Sequence, residues 1–128
     1  MSAKVMVVDD SLMVRQQVSR ALGEAGFEVV QATDGLDALS KVTPGHQFSL
    51  VVCDVNMPRM SGIEFLENVR KAEGGASLPV VMLTTEAHPD LIQRAKALGA
   101  RGWIVKPFKA DLLVAAVKKL VGAGTAAA

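Results

Sequence analysis

Three stretches of this chain, Val5-Met6-Val7-Val8, Leu50-Val51-Val52-Cys53 and Val80-Val81-Met82-Leu83, are apolar at every position. A strand with one wet face alternates polar and apolar residues, whereas one that is apolar throughout must be covered on both faces. That is the condition of parallel strands held between two layers of helices. Strand-like runs are read at Lys4–Val8, Glu28–Ala32, Leu50–Cys53, Pro79–Leu83 and Gly102–Val105, each followed by helical periodicity, so the chain is five βα units. The second and fifth runs admit Glu28 and Gln31, or Trp103 beside Gly102, and suit the sheet edges. The simplest order is 2-1-3-4-5, a doubly wound five-stranded parallel sheet in an α/β fold.

The helices carry their own punctuation. Val14, Val18, Leu22 and Ala25 form one face of the first, which meets Gly26, a residue suited to a left-handed terminus. Leu36, Leu39 and Val42 mark the second. Ser61-Gly62-Ile63-Glu64 is a capping box opening the third. Pro89 stands in the first turn of the fourth, with Leu91, Ala95 and Leu98 before Gly99, and the fifth shows Leu113, Ala116, Val117, Leu120 and Val121. At 128 residues, half of them apolar, the chain supports one core and one domain over residues 1–121; the Gly-Ala-rich segment 122–128 is expected to fray.

Charge and cysteine content narrow the function. A net charge of +1 supplies no global field for a phosphate backbone, so nucleic acid is not an expected ligand. No apolar stretch approaches a membrane span, and the run Val5–Val8 stops at Asp9 and Asp10 before it could serve as a signal segment; the chain reads as cytoplasmic. Cys53 is the one cysteine and reads as a small buried hydrophobe, while His46 and His88 lie far apart in surface loops, so no zinc site is expected. Met57, Met60 and Met82 read as packing residues.

In open parallel sheets the ligand site lies beyond the carboxyl ends of the strands, where the strand order reverses. Asp9 and Asp10 follow the first strand, Asp54 the third, Thr84 and Thr85 the fourth, and Lys106 the fifth. Singly these have plainer readings: caps near Ser11, a turn residue, a solvated lysine. Together they converge on one edge. Two carboxylates about 5 Å apart at an effective dielectric near 20 repel by roughly 3 kcal/mol, so three acids there call for a cation or a shared proton. Magnesium takes oxygen ligands and commonly joins one or two carboxylates to phosphate oxygens, with a lysine and a threonine left to hold the remaining phosphoryl oxygens.

Val8-Asp9-Asp10-Ser11, Asp34-Gly35, Asp54-Val55-Asn56-Met57-Pro58, Met60-Ser61-Gly62, Thr84-Thr85-Glu86 and Lys106-Pro107-Phe108 together resemble a response-regulator receiver domain over essentially the whole chain. The resemblance implies a flavodoxin-like (βα)5 fold and the chemistry of two-component signal transduction. Asp54 would accept a phosphoryl group from the phosphohistidine of a histidine kinase. Asp10, Asp54 and the backbone carbonyl of Asn56 would ligate Mg2+, with Asp9 acting through water. Thr84 and Lys106 would contact the phosphoryl group, Asn56 and Glu86 would tune self-dephosphorylation, and a cis peptide would precede Pro107. Such a chain is a phosphoacceptor that assists its own phosphotransfer rather than an enzyme with turnover.

Within the family the likeness is to stand-alone chemotaxis regulators, on Leu83-Thr84-Thr85-Glu86 and on the lack of an output domain within these 128 residues. The switch position three residues before the lysine, usually tyrosine or phenylalanine, is Trp103, which is larger and lacks the phenol. The expected partners are a histidine kinase, a downstream protein on the face of the fourth helix, fifth strand and fifth helix and, on phosphorylation, a second copy of the chain. Residues 91–128 hold seven basic side chains against Asp111 alone, a balance of +6, so residues 1–90 sum to −5 and an acidic or amphipathic partner segment suits that face.

Two other classes share parts of this pattern. A flavin-binding electron carrier would share the fold, but flavins want aromatic stacking partners and the chain has no Tyr, one Trp and four Phe. A magnesium phosphohydrolase of small phosphomonoesters would share the Asp, Thr and Lys chemistry, yet it needs a separate general acid.

Overall fold

The computed structural model describes residues 3–42, 48–57, 59–71, 78–85 and 89–126, with side chains described through Val121. Five strands, β1 (Lys4–Val8), β2 (Glu28–Ala32), β3 (Leu50–Asp54), β4 (Val80–Thr84) and β5 (Gly102–Val105), alternate with five helices. The helices are α1 (Leu12–Glu24), α2 (Gly35–Val42), α3 (Gly62–Lys71), α4 (Pro89–Ala97) and α5 (Ala110–Ala126). All pairings are parallel and the order is β2-β1-β3-β4-β5. The expected (βα)5 sheet is therefore the observed one.

The all-apolar strands are explained by two cores on opposite faces of the sheet. Met6, Val8, Val51, Cys53, Val80 and Met82 pack with Phe65, Leu66, Val69 and Ala95 of α3 and α4. Their neighbours Val5, Val7, Leu50, Val52, Val81 and Leu83 pack with Val18, Leu22, Leu113 and Val117 of α1 and α5. Successive strand residues point to opposite faces, so only an unbroken apolar run serves both cores. β2 and β5, with one neighbour each, leave Glu28, Gln31 and Val105 exposed.

Local signals set the helix ends. Ser11 Oγ accepts from the Val14 amide at 3.3 Å as N-cap of α1, and Gly26 follows at φ +99°. The α3 capping box forms reciprocally, Glu64 N to Ser61 Oγ at 3.2 Å and Ser61 N to Glu64 Oε1 at 3.1 Å. Gly99 turns the chain out of α4 at φ +85°.

Some boundaries differ from the sequence reading. β4 starts at Val80 rather than Pro79, whose carbonyl accepts from Val51 N, and it runs on to Thr84, whose carbonyl accepts from Lys106 N at 2.8 Å. β3 likewise extends to Asp54. In α2 the fully buried apolar positions are Ala38 and Val42, while Leu36 is exposed, and Ala25 is the C-cap of α1 rather than part of its buried face. Of the segment expected to fray from Gly122, the backbone to Ala126 belongs to α5 and the rest lies outside the described residues.

Candidate functional site

β1, β3, β4 and β5 bring their carboxyl ends together. Asp9 follows β1 directly and its amide donates to the Ala32 carbonyl at the end of β2. Asp54 is the last residue of β3, Thr84 the last of β4, and Lys106 the first after β5. Carboxylate oxygens of Asp9, Asp10 and Asp54 lie within 4.8 Å of one another. Asp9, Asp54 and Thr84 are buried and Asp10 is exposed.

Each side chain is placed by a specific contact. Asp9 Oδ1 accepts from Ser11 N at 2.9 Å, and Asp9 Oδ2 receives the Lys106 ammonium at 2.7 Å. Lys106 Nζ stands 3.5 Å from Asp54 Oδ2, and Asp54 Oδ1 accepts from the Val55 amide at 2.8 Å. Both oxygens of Asp9 are therefore engaged, and the helix-capping role that could have explained the acids belongs to Ser11. The peptide between Lys106 and Pro107 is cis, as the resemblance implied. Arg15, which nothing in the linear pattern marked, reaches back from α1 to donate to the Asp9 carbonyl at 2.7 Å and to Gln31 Oε1 at 3.2 Å, tying the acidic loop to β2. A basic residue one turn into a helix that follows an acidic loop is the only signal it left.

Burial, and next the Asp9 carboxylate, push the Asp54 carboxyl up to about 6 against an ordinary 3.8, with Lys106 and the Val55 amide pulling the other way. Desolvation, rather than the charge repulsion expected of three adjacent acids, is the larger cause. Three carboxylates and one ammonium leave two negative charges, the complement of one divalent cation. The donors are all hard oxygen, and one acid is open to solvent. This cluster suits Mg2+.

The folded carboxyl of Asp54 keeps its proton to a higher pH than the unfolded chain does. Ionising it as pH rises from about 4 to about 6 therefore costs the metal-free protein stability. Magnesium binds the ionised form, so its binding at pH 6 is expected to release about half a proton per ion, and almost none at pH 8. Calorimetric titration of magnesium in buffers of different ionisation enthalpy measures this. Equal proton release at both pH values would contradict the burial argument.

The remaining predicted residues fall as follows. Asn56 is exposed on the β3–α3 loop. Trp103 is half-buried against the α3 and α4 core, and its indole Nε1 is buried without a hydrogen-bond partner among the described residues. Cys53 is buried, its thiol donates to the Asp54 carbonyl at 3.3 Å, and burial first and the Asp54 and Asp9 charges next push it well above its ordinary value, so it is an inert core residue. Met82 is core, with Met57 and Met60 packed against it. Glu86, His46, His88 and Pro58 lie outside the described residues.

A parallel (βα)5 sheet with an acid cluster, a threonine and a lysine at its carboxyl edge defines the phosphoacceptor class of signalling domains. The response regulator receiver domain family model matches residues 5–118, and the chain belongs to that family. It is 42% identical over 118 residues to the chemotaxis protein CheY-3 of Vibrio cholerae serotype O1, covering 91% of this chain and 90% of the relative. To the chemotaxis protein CheY of Pseudomonas aeruginosa it is 39% identical, covering 91% and 94%. The solved structure of Vibrio cholerae chemotaxis protein CheY4 superposes with a TM-score of 0.88 at 44% identity, covering 94% and 99%. A CheY-like receiver from Methanospirillum hungatei shares the fold at a TM-score of 0.93 and 23% identity. The protein is thus a CheY-like receiver, a phosphoacceptor whose Asp9, Asp10 and Asp54 suit Mg2+-dependent phosphoaspartate signalling. Among the described residues no helix is long and apolar enough to cross a membrane.

Proposed function

We propose that Asp54 takes the phosphoryl group from a phosphohistidine of a histidine kinase and that the resulting acyl phosphate changes which protein the domain binds. In the transfer an Asp54 carboxylate oxygen bonds to phosphorus as the phosphorus–nitrogen bond breaks and the imidazole leaves. The observation that carries this reading is the placement of a buried carboxylate with Lys106 Nζ 3.5 Å away and two further acids within 4.8 Å. Asp10, Asp54 and the Asn56 carbonyl would hold Mg2+, with Asp9 acting through water, and the ion would supply positive charge for the phosphoryl oxygens. Lys106 would exchange part of its contact with Asp9 for the phosphoryl group, and the Thr84 hydroxyl would hold a second oxygen. As the family resemblance implies, Asn56 and Glu86 would tune self-dephosphorylation and so the lifetime of the signal.

The output reading follows the charge. Lys96, Arg101, Lys109, Lys118 and Lys119 are exposed on or beside α4, β5 and α5, and Val105 adds an exposed apolar residue on β5. Arg94 is committed to Glu67 at 2.7 Å, so it leaves the basic set. An acidic, amphipathic segment of a downstream protein fits this face, with Thr84 and Trp103 as the gate. The relatives named as chemotaxis proteins favour a motility output, and a phosphorylation-dependent homodimer would use the same face.

Phosphotransfer from autophosphorylated histidine kinases of the same cell tests the reading. Magnesium-dependent transfer of label, lost on hydroxylamine treatment as an acyl phosphate requires, is the expected result. Steady turnover of a small phosphomonoester without label transfer from any kinase would favour the phosphohydrolase instead.

A further inference from the structure

The loop between β3 and α3 leaves Asp54 and returns at Gly62, whose amide donates to the Val55 carbonyl at 2.8 Å. Between those points it meets the β2–α2 turn at two consecutive places. Arg59 Nε donates to Asp34 Oδ2 at 2.7 Å, and Arg59 Nη2 bonds the same oxygen. Beside it, Gly35 N donates to the Met60 carbonyl at 3.3 Å, and the two backbones are so close that a Cβ on Gly35 would stand 2.8 Å from that oxygen.

Two features set this pair apart from an ordinary surface ion pair. Asp34 is 4% exposed, and its second oxygen caps α2 by accepting from Asp37 N at 2.9 Å. Burial alone would raise its carboxyl, yet the Asp37 amide and the Arg59 guanidinium hold it below the ordinary value. Arg59 has φ 66°, the left-handed region that side chains other than glycine and asparagine adopt at a cost. A strained backbone persists where its surroundings hold it, and here the holding contact is a charged bond to a buried, helix-capping carboxylate.

We propose that Arg59 and Asp34 are positioning residues for the metal site: their pair anchors the β3–α3 loop so that the Asn56 carbonyl is already aimed where Mg2+ binds. This rests on the reading of Asn56 as a backbone ligand. Neither Arg59 nor Asp34 belongs to the acid cluster suited to the ion. A loop free to rotate about Asn56 and Met57 would have to be ordered by the metal itself, which lowers affinity without changing the nucleophile.

The test is calorimetric titration with magnesium alone on the whole chain, comparing wild type with Arg59→Asn, Asp34→Asn, the double variant and Asp10→Ala. Asparagine tolerates the left-handed backbone at 59 and keeps a capping oxygen at 34, so each change removes the ionic bond and little else. Each single variant is expected to bind magnesium about tenfold more weakly, and the double variant no more weakly than either single. Arg59→Lys, which keeps the charge without the fork, should fall between. Phosphorylation by acetyl phosphate should need more magnesium for half-maximal rate and reach the same maximum.

Unchanged magnesium affinity with a lowered Tm would make the pair structural only and overturn the proposal. So would effects that add in the double variant, or a lowered maximal rate. If Asp10→Ala loses binding while the pair variants do not, the metal reading stands and the positioning role falls; a wild type that does not bind magnesium overturns both.

Discussion

Asp54→Asn is expected to abolish the single phosphoryl addition that acetyl phosphate and magnesium produce, read as a mass shift on the intact protein. The amide is nearly the same shape as the carboxylate, but its oxygen is neutral and its electron pair delocalised, so the attacking atom is lost and the fold is not. The substitution also removes a charge that burial and Asp9 disfavour, as the carboxyl's displacement to about 6 records. At pH 7.5 without metal the variant should therefore melt higher than wild type while being inert. That combination separates a missing nucleophile from a misfolded site. Labelling of Asp54→Asn at the wild-type rate, with the label on Asp9 or Asp10, would show that the acceptor lies elsewhere in the cluster.

The second large effect concerns a residue with no chemistry. A Cβ on Gly62 would stand 2.1 Å from the Asp54 carbonyl oxygen and 2.9 Å from Met82 Cε. The first atom is backbone in the central strand β3 and cannot swing away, so Gly62→Ala must move α3 or the end of β3. The cost is expected to be about 3 kcal/mol, at the upper end for overpacking, and Asp54 would shift with it. Gly23→Ala is the control: nothing lies within 4 Å of a Cβ there, and alanine in α1 should stabilise by about 0.5–1 kcal/mol. Urea denaturation of the two variants reads both signs. A Gly62→Ala midpoint equal to that of wild type would mean that α3 is not packed as closely on β3 as described.

Periodicity and strand ends carried most of what could be known beforehand. Unbroken apolar runs mark β1, β3 and β4 as central because each serves two cores, and Glu28, Gln31 and Trp103 mark the edges. Given that sheet, Asp9, Asp54, Thr84 and Lys106 must share one edge, since every parallel strand ends on the same side. The Ser61–Glu64 capping box is local and forms as written. The cap of α2 is Asp34, whose side chain also serves a contact 25 residues away.

What no linear pattern contained is the pairing of side chains across elements. Lys106 could have faced Asp54 alone, yet its ammonium settles between two carboxylates, 2.7 Å from Asp9 and 3.5 Å from Asp54. Arg15 and Arg59 look in the sequence like solvated charges, and both hold site loops, because a guanidinium long enough to span two elements finds its partner only after the sheet has brought them together. The balance of burial, Asp9 and Lys106 that pushes Asp54 up to about 6 is of the same kind. Fold and residue types follow from hydrophobic period and position along the strands, which are properties of the chain; contact distances and desolvation depend on atoms far apart in sequence and arise only with packing.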